Sequence, residues 1–224
     1  MAKKFGILFS GGKDSTYAAW LAKENGDEIA CLISVFSENK ESYMFHIPSI
    51  MKVEKQAEVM DIPLIMGSTE GEKEKELGDL KEIISKAKGE FGIEGIVTGA
   101  VASVYQASRI QKICDELGLE CFNPLWEKNQ FELLQELIDN DFEVIIVGIA
   151  AEGFDESWLG REINENFIED IRRIEEKNKI NPAGEGGEFE SFVLNCPLFK
   201  RGLKVIDKEV SGEGNALRME IDVE

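Results

Sequence analysis

The chain has 224 residues, 43% of them hydrophobic, and carries a formal charge of −19 from 25 lysines and arginines against 44 aspartates and glutamates. That length supports one large domain or two small ones with a buried core, while no apolar stretch reaches the roughly 20 residues of a membrane span. An acidic excess of this size repels nucleic acid over a Debye length of about 8–10 Å, and the basic cluster Lys200, Arg201 and Lys204 is too small to offset it, so neither direct nucleic-acid binding nor membrane association is expected.

Met1-Ala2-Lys3-Lys4 runs into a short strand and does not read as a signal peptide, which makes the cytoplasm the expected location. The apolar run from Phe5 to Phe9 ends in Ser10-Gly11-Gly12-Lys13-Asp14-Ser15, and a helical pattern through Tyr17, Ala18, Trp20 and Leu21 follows. The first backbone N–H groups of a helix are unpaired and its dipole is positive there, so an anion is the natural occupant of such a turn. Gly11 and Gly12 let the backbone come close, Lys13 supplies a point charge, Ser10 and Ser15 supply hydroxyls, and the Asp14 carboxylate suits a magnesium ion. The implied ligand is a phosphate chain. Ile7 stands where a Walker loop needs its first glycine, and the three spaced glycines of a dinucleotide site are missing.

Further strands are expected at Ile29–Phe36, Pro63–Met66, Gly95–Thr98 and Leu119–Phe122, alternating with helices around Met51–Met60, Glu74–Phe91 and Ile110–Leu117. Alternation at this interval gives right-handed crossovers and a doubly wound, five-stranded parallel sheet, whose ligands lie at the carboxyl ends of the strands. Asn123-Pro124-Leu125-Trp126 marks a boundary, so a nucleotide-binding unit of residues 1–122 and a smaller α+β unit of residues 123–224 are expected. The second unit holds a helix over Gln130–Ile138, a strand over Val144–Ile149, a helix through Ile163, Phe167 and Ile171, and a strand over Phe192–Leu194. Leu217, Met219, Ile221 and Val223 alternate with charged residues as a half-exposed strand, paired with Leu203–Val210 across a turn at Ser211–Gly214.

Three other stretches carry chemistry. Thr98–Arg109 joins a strand end to a helix and brings Gly99, Ser103, Tyr105 and Gln106 near the first loop; Ser103 is equally suited to capping that helix. The loop Asn181–Ser191 sets Glu185, Glu188 and Glu190 among glycines, and its carboxylates fit cation binding or acid–base work. Ser42-Tyr43-Met44-Phe45-His46 contains the chain's single histidine. The four cysteines show no two-residue spacing and are expected to be reduced and structural.

The Ser10–Ser15 loop resembles the PP-loop of the ATP pyrophosphatases, of the PP-loop/HUP fold type. Together with Glu41–His46, Gly99–Arg109, Pro124–Trp126, Trp158–Gly160, Gly184–Ser191 and Asn195–Phe199, it makes nearly the whole chain similar to the diphthine–ammonia ligases, in their short archaeal form. Ser191 stands where threonine is expected, and Ala107 where relatives often carry arginine. The resemblance implies ATP-dependent amidation, with ammonium, of diphthine on translation elongation factor 2, through an acyl-adenylate and with release of AMP and pyrophosphate. It implies Lys13, Asp14, Glu188 and Glu190 as catalytic residues, and Ser10, Gly11, Gly12, Lys13, Asp14, Ser15, Gly99, Ser103, Tyr105 and Gln106 around ATP, with Asp14 holding Mg2+. Tyr43, His46, Trp126, Trp158, Gly186, Gly187 and Glu188 are expected at the substrate, where an aromatic face would attract its quaternary ammonium. No nucleophilic-cysteine glutaminase is visible, so ammonium is the nitrogen donor. Two competing readings remain, a PP-loop tRNA-modifying adenylating enzyme and a non-catalytic ATP-binding regulator; homo-oligomerisation is left open. The acidic charge and the lack of cysteine pairs argue against the first.

Overall fold

The computed structural model describes residues 2–37, 52–69 and 75–224. The first half runs β1 (Lys4–Leu8), α1 (Lys13–Glu24), β2 (Glu28–Ser37), α2 (Val53–Met60), β3 (Leu64–Thr69), α3 (Lys75–Phe91), β4 (Gly95–Val97), α4 (Val104–Leu117) and β5 (Glu120–Phe122). Its five strands are all parallel, in the order β3-β2-β1-β4-β5. The chain moves outward from β1 to β3 and then returns to the other side of β1, so the switch point lies between the carboxyl ends of β1 and β4, where ligands of such sheets sit.

Strand alternation divides the side chains between two layers. Phe5 and Ile7 of β1 face α1 and α2 among Tyr17, Ala18, Val53 and Ala57. Cys31, Ile33 and Val35 of β2 face the opposite side, among Leu80 and Ile84 of α3 and Ile110 and Ile113 of α4. The sheet is thus covered on both faces, as a doubly wound fold requires. Asp61 and Gly118, both at positive φ, close α2 and α4 in the left-handed conformation that ends many helices.

The second half holds α5 (Gln130–Asp139), β6 (Glu143–Ile149), a 3-10 turn at Glu156–Trp158, α6 (Glu165–Asn178), β7 (Phe189–Asn195), β8 (Val205–Glu213) and β9 (Ala216–Val223). Its strands form a separate antiparallel sheet in the order β7-β6-β9-β8. Asn129 caps α5 and Asn164 caps α6 through their side-chain oxygens, the role for which a short polar side chain is suited.

Several boundaries differ from the sequence reading, three of them with a clear cause. Strand β7 begins at Phe189, not Phe192, because Phe189, Glu190 and Ser191 pair with Ile149, Gly148 and Ile146 of β6. Ile163 precedes α6, since Asn164 caps it. The β8–β9 turn is shorter than expected, pairing Glu213 with Ala216. One hydrophobic core runs without interruption from Phe5 and Tyr17 through Leu133 and Leu137 of α5 to Val144, Phe167 and Val193. No helix among the described residues is long and apolar enough to cross a membrane.

Candidate active site

A cleft of about 470 Å³ opens at the carboxyl ends of β1 and β4, within the roughly 300–1,000 Å³ of small-molecule sites. One wall is the turn from β1 into α1, with Ser10, Gly12, Lys13, Asp14 and Ser15. A second is the β4–α4 connection, with Thr98, Gly99, Ala100, Ser103 and Gln106. The third is the segment leading into β7, with Gly184, Glu185, Gly186, Gly187, Phe189, Glu190 and Ser191, and Leu8, Ile33, Val35, Leu80 and Ile110 form an apolar side. That combination, a phosphate-sized polar end beside an apolar slot, suits a nucleotide.

The turn at β1 holds its shape through local bonds. Ser10 N–H donates to Ser15 Oγ at 3.2 Å, the two hydroxyls lie 3.0 Å apart, and Thr16 Oγ1 donates to the Gly12 carbonyl at 2.8 Å. Gly11 sits at φ +78, where a Cβ would also collide with Gln56 Oε1. At Gly99 a Cβ would come within 2.6 Å of the Asp14 carbonyl carbon and the Ser15 nitrogen, so only glycine lets the β4 end lie against the first turn of α1.

Helix α1 has no cap of its own: Gly12 offers no side chain. The Lys13 N–H donates instead to Ser191 Oγ at 3.1 Å, from the other half of the chain. Gln56 adds a second tie. Its Nε2 donates both to the Gly11 carbonyl at 3.0 Å and to the Val193 carbonyl at 2.8 Å, and Val193 N–H donates to the Gly11 carbonyl at 3.1 Å. Strand β7 is therefore fastened directly to the turn that the sequence marks for phosphate.

Lys13, expected at an open turn, is only 3% exposed. Its Nζ pairs with Asp14 Oδ2 at 2.7 Å and lies 5.5 Å from the centre of the Phe189 ring. Asp14 Oδ1 is buried without a hydrogen-bond partner among the described residues. Among the described residues no group of three or more His, Cys, Asp or Glu is placed to hold a metal. A cation here would rely on Asp14 together with phosphate oxygens and water, which is how magnesium is usually held.

The glutamates of this segment are treated very differently, and Glu188, unlike Glu185 and Glu190, does not line the cleft. Glu188, 8% exposed, accepts from Asn181 N–H, Asn181 Nδ2 and Gly186 N–H, each at 2.7 Å. The loop is further tied to α5, since Ala183 N–H donates to Gln130 Oε1 at 3.0 Å. It is held at both ends rather than at its C-terminal end alone. Glu190 lies on β7 itself, and its Oε2 is buried with no hydrogen-bond partner among the described residues. Burial pushes its carboxyl up to about 7, with Arg218 lowering it and Glu220 raising it. Glu185 is also raised, by burial and by the Asp14 carboxylate, against the pull of Lys13.

Of the residues expected from sequence, the cleft brings together Ser10, Gly12, Lys13, Asp14, Ser15, Gly99, Ser103, Gln106, Gly186, Gly187 and Glu190. Ser103 both lines it and caps α4, accepting from Gln106 N–H at 3.3 Å. Gly11 lies beneath the turn against Gln56. Three aromatic expectations fall outside the lining. Tyr105 stacks on the Arg109 guanidinium at 3.3 Å, and Trp126 is half-buried in the turn after β5. Trp158 is buried among Phe154 and Phe167 with Arg161 over its ring at 4.5 Å; an arginine already occupies that face. Tyr43 and His46 lie outside the described residues. Gln56 was not legible in the sequence, since a glutamine on an amphipathic helix carries no signal of its partners.

The family model of the diphthamide synthase N-terminal domain matches residues 3–121, and that of the C-terminal domain matches residues 129–221. The chain is similar to the diphthine–ammonia ligase of Bos taurus, 33% identical over 222 residues, or 91% of this chain and 83% of that one. It is also similar to the diphthine–ammonia ligase of Rattus norvegicus, 33% identical over 221 residues, or 90% and 82%. Among solved structures it is similar to a "predicted subunit of tRNA methyltransferase" from Methanocaldococcus jannaschii, at 18% identity and a TM-score of 0.45, covering 87% of this chain and 98% of that one.

Proposed function

The chain belongs to the diphthamide synthase family, and on that premise we propose that it amidates diphthine on translation elongation factor 2, using ATP and ammonium, in the last step of diphthamide synthesis. The observation that carries the reading is that both halves of the chain match that family around one cleft formed by both.

The chemistry requires an activating step. A carboxylate does not condense with ammonia unaided, because its oxygen leaves poorly. Attack of that oxygen on the α-phosphorus of ATP releases pyrophosphate and gives a mixed anhydride with AMP, which leaves readily as ammonia adds. The PP-loop type of turn suits this cleavage because it grips the two phosphates that depart. Ser10, Gly11, Gly12, Lys13 and Ser15 hold the β and γ phosphates, and the apolar side receives the base. Gly99, Ser103 and Gln106 face the AMP half or the reacting carboxylate, with Tyr105 beside them, and residues 184–190 cover the substrate from the second unit, residues 123–224.

Lys13 bears on the charge that develops as pyrophosphate leaves, and its burial strengthens that interaction. Magnesium, held through Asp14 Oδ1, would supply further charge neutralisation at the same phosphates. The test is to incubate the protein with ammonium, methylated elongation factor and ATP labelled at the α and γ positions. AMP and pyrophosphate are expected, with a mass loss of roughly one dalton on the factor as OH is replaced by NH2. ADP and orthophosphate as the main products would overturn the assignment.

A further inference from the structure

We infer that Glu190 is the proton acceptor that converts bound ammonium into ammonia, whereas Glu188, two residues away, acts only through the shape of its loop. This rests on the amidation reading above and assigns the base that the reaction needs.

At neutral pH the nitrogen donor is almost wholly ammonium, which has no lone pair to attack with. Some group beside the reacting carbon must therefore take a proton and must be unprotonated when ammonium arrives. Two glutamates, Glu185 and Glu190, line the third wall of the cleft, and a third, Glu188, lies in the same segment behind it. Glu188 is excluded by its bonds: both of its oxygens accept from N–H groups of its own loop, at Asn181 and Gly186. Glu185 lines the cleft where burial and the Asp14 carboxylate raise it and Lys13 lowers it, on the side assigned to phosphate and metal. Glu190 lines the cleft from a strand rather than a loop and has one buried oxygen unspoken for.

Its position has a cause in the sheet. Glu190 stands opposite Gly148 of β6, and a Cβ at that glycine would come within 3.3 Å of Glu190 Oε2. The bare Gly148 leaves room for the carboxylate to fold over the sheet. No charge comes from β6 at that point. Arg218 and Glu220 on β9 act on Glu190 with opposite signs, and Lys13 of α1 is committed to Asp14. A poorly solvated carboxylate that, among the described residues, has no cation in an ion pair with it attracts a small cation and holds its proton near neutrality, the property wanted of a base at that pH. Its carboxyl is raised to about 7.

The step balances as follows. Ammonium passes one proton to Glu190, and the freed nitrogen pair attacks the acyl carbon. The bond from that carbon to the AMP oxygen breaks, AMP leaves with the bonding pair, and the nitrogen sheds a second proton to water.

Hydroxylamine separates this role from a structural one, because it is largely unprotonated at neutral pH and needs no base to enter. Glu190→Gln should lower ammonium-dependent amidation at pH 7 by about a hundredfold, leave pyrophosphate release in place and still form hydroxamate on the elongation factor at close to the wild-type rate. Wild-type amidation should rise with pH through about 7, while the variant should follow only the supply of free ammonia at higher pH. Glu190→Asp, which keeps a carboxylate in a displaced position, should recover part of the ammonium reaction. Glu188→Gln should depress the ammonium and hydroxylamine reactions together. Equal loss of both reactions in Glu190→Gln, or unimpaired amidation, would overturn the role of Glu190 alone. A wild-type protein that makes neither amide nor hydroxamate would overturn the amidation reading itself.

Discussion

The two sides of the cleft are built by opposite means. The wall at β1 and β4 offers backbone N–H groups, hydroxyls and one lysine at the ends of parallel strands, and its character is set by a handful of consecutive residues. The wall at β7 offers carboxylates, and their character is set by residues far away in the chain: Gly148 opposite Glu190 and Gln130 anchoring the loop before Glu188. A site that binds anions through a helix terminus can be carried by a short motif. One that tunes carboxylates depends on how the rest of the fold surrounds them.

The sharpest way to break that contrast is at Lys13. Lys13→Met keeps most of the buried volume but removes the charge, and it should lower AMP release by about a hundredfold or more, in line with loss of a charge-assisted phosphate contact. Residual turnover above a tenth of wild type would mean that the phosphate wall does not depend on this lysine.

Gln56 tests the tie between the walls. Gln56→Leu takes this donor from the Val193 carbonyl, while the Gly11 carbonyl loses one of two donors and keeps Val193 N–H. At about 1–3 kcal/mol for one buried group left unpaired, urea unfolding should show a loss of about 1–3 kcal/mol. A loss under about 0.5 kcal/mol would leave the two walls independent.

Ser191→Ala removes the acceptor for Lys13 N–H. Loss of a helix cap typically costs about 1 kcal/mol, or about 2–4 °C in the melting temperature of a chain this size. An unchanged melt would show that water replaces the hydroxyl without cost.

A last test concerns pH. Burial raises Glu190 from its ordinary 4.5 to about 7, so the folded chain binds that proton more tightly than the unfolded one. Its contribution to stability is complete below about 4.5 and declines as the pH rises through about 7. Glu190→Gln should match wild type in melting temperature near pH 4 and exceed it by several degrees at pH 8, the direction expected when an uncompensated buried charge is removed. A variant that melts lower at pH 8 would place a favourable partner on the Glu190 carboxylate.

Much of the first wall was legible because its signals are local. Ser10–Ser15 announces the glycine turn from β1 into α1 that lines the cleft, and the alternation of apolar runs from Phe5 to Phe122 gives the parallel sheet. The second wall was legible in composition but not in arrangement. Glycines around Glu185 and Glu188 suggested a loose loop, yet bonds to Asn181 and Gln130 fix it. Phe189 and Ser191 alternate with Glu190 as a strand should, but their glycine-rich neighbours hid the start of β7. Trp158 read as a face for a cation, and it is one, except that Arg161 supplies the cation from three residues away.

The hydrogen bond from Lys13 N–H to Ser191 crosses 178 residues of sequence, and this bears on attempts to divide the protein. A fragment ending near residue 122 would keep the whole phosphate signature and still present an altered one, with the first turn of α1 uncapped, the Lys13 side chain stripped of its Phe189 cover and the Gly11 carbonyl short of one donor. The motif that looks most portable is finished by the part of the chain that looks least related to it, so the two halves inherit their function jointly and a graft of the first alone transplants the letters without the grammar.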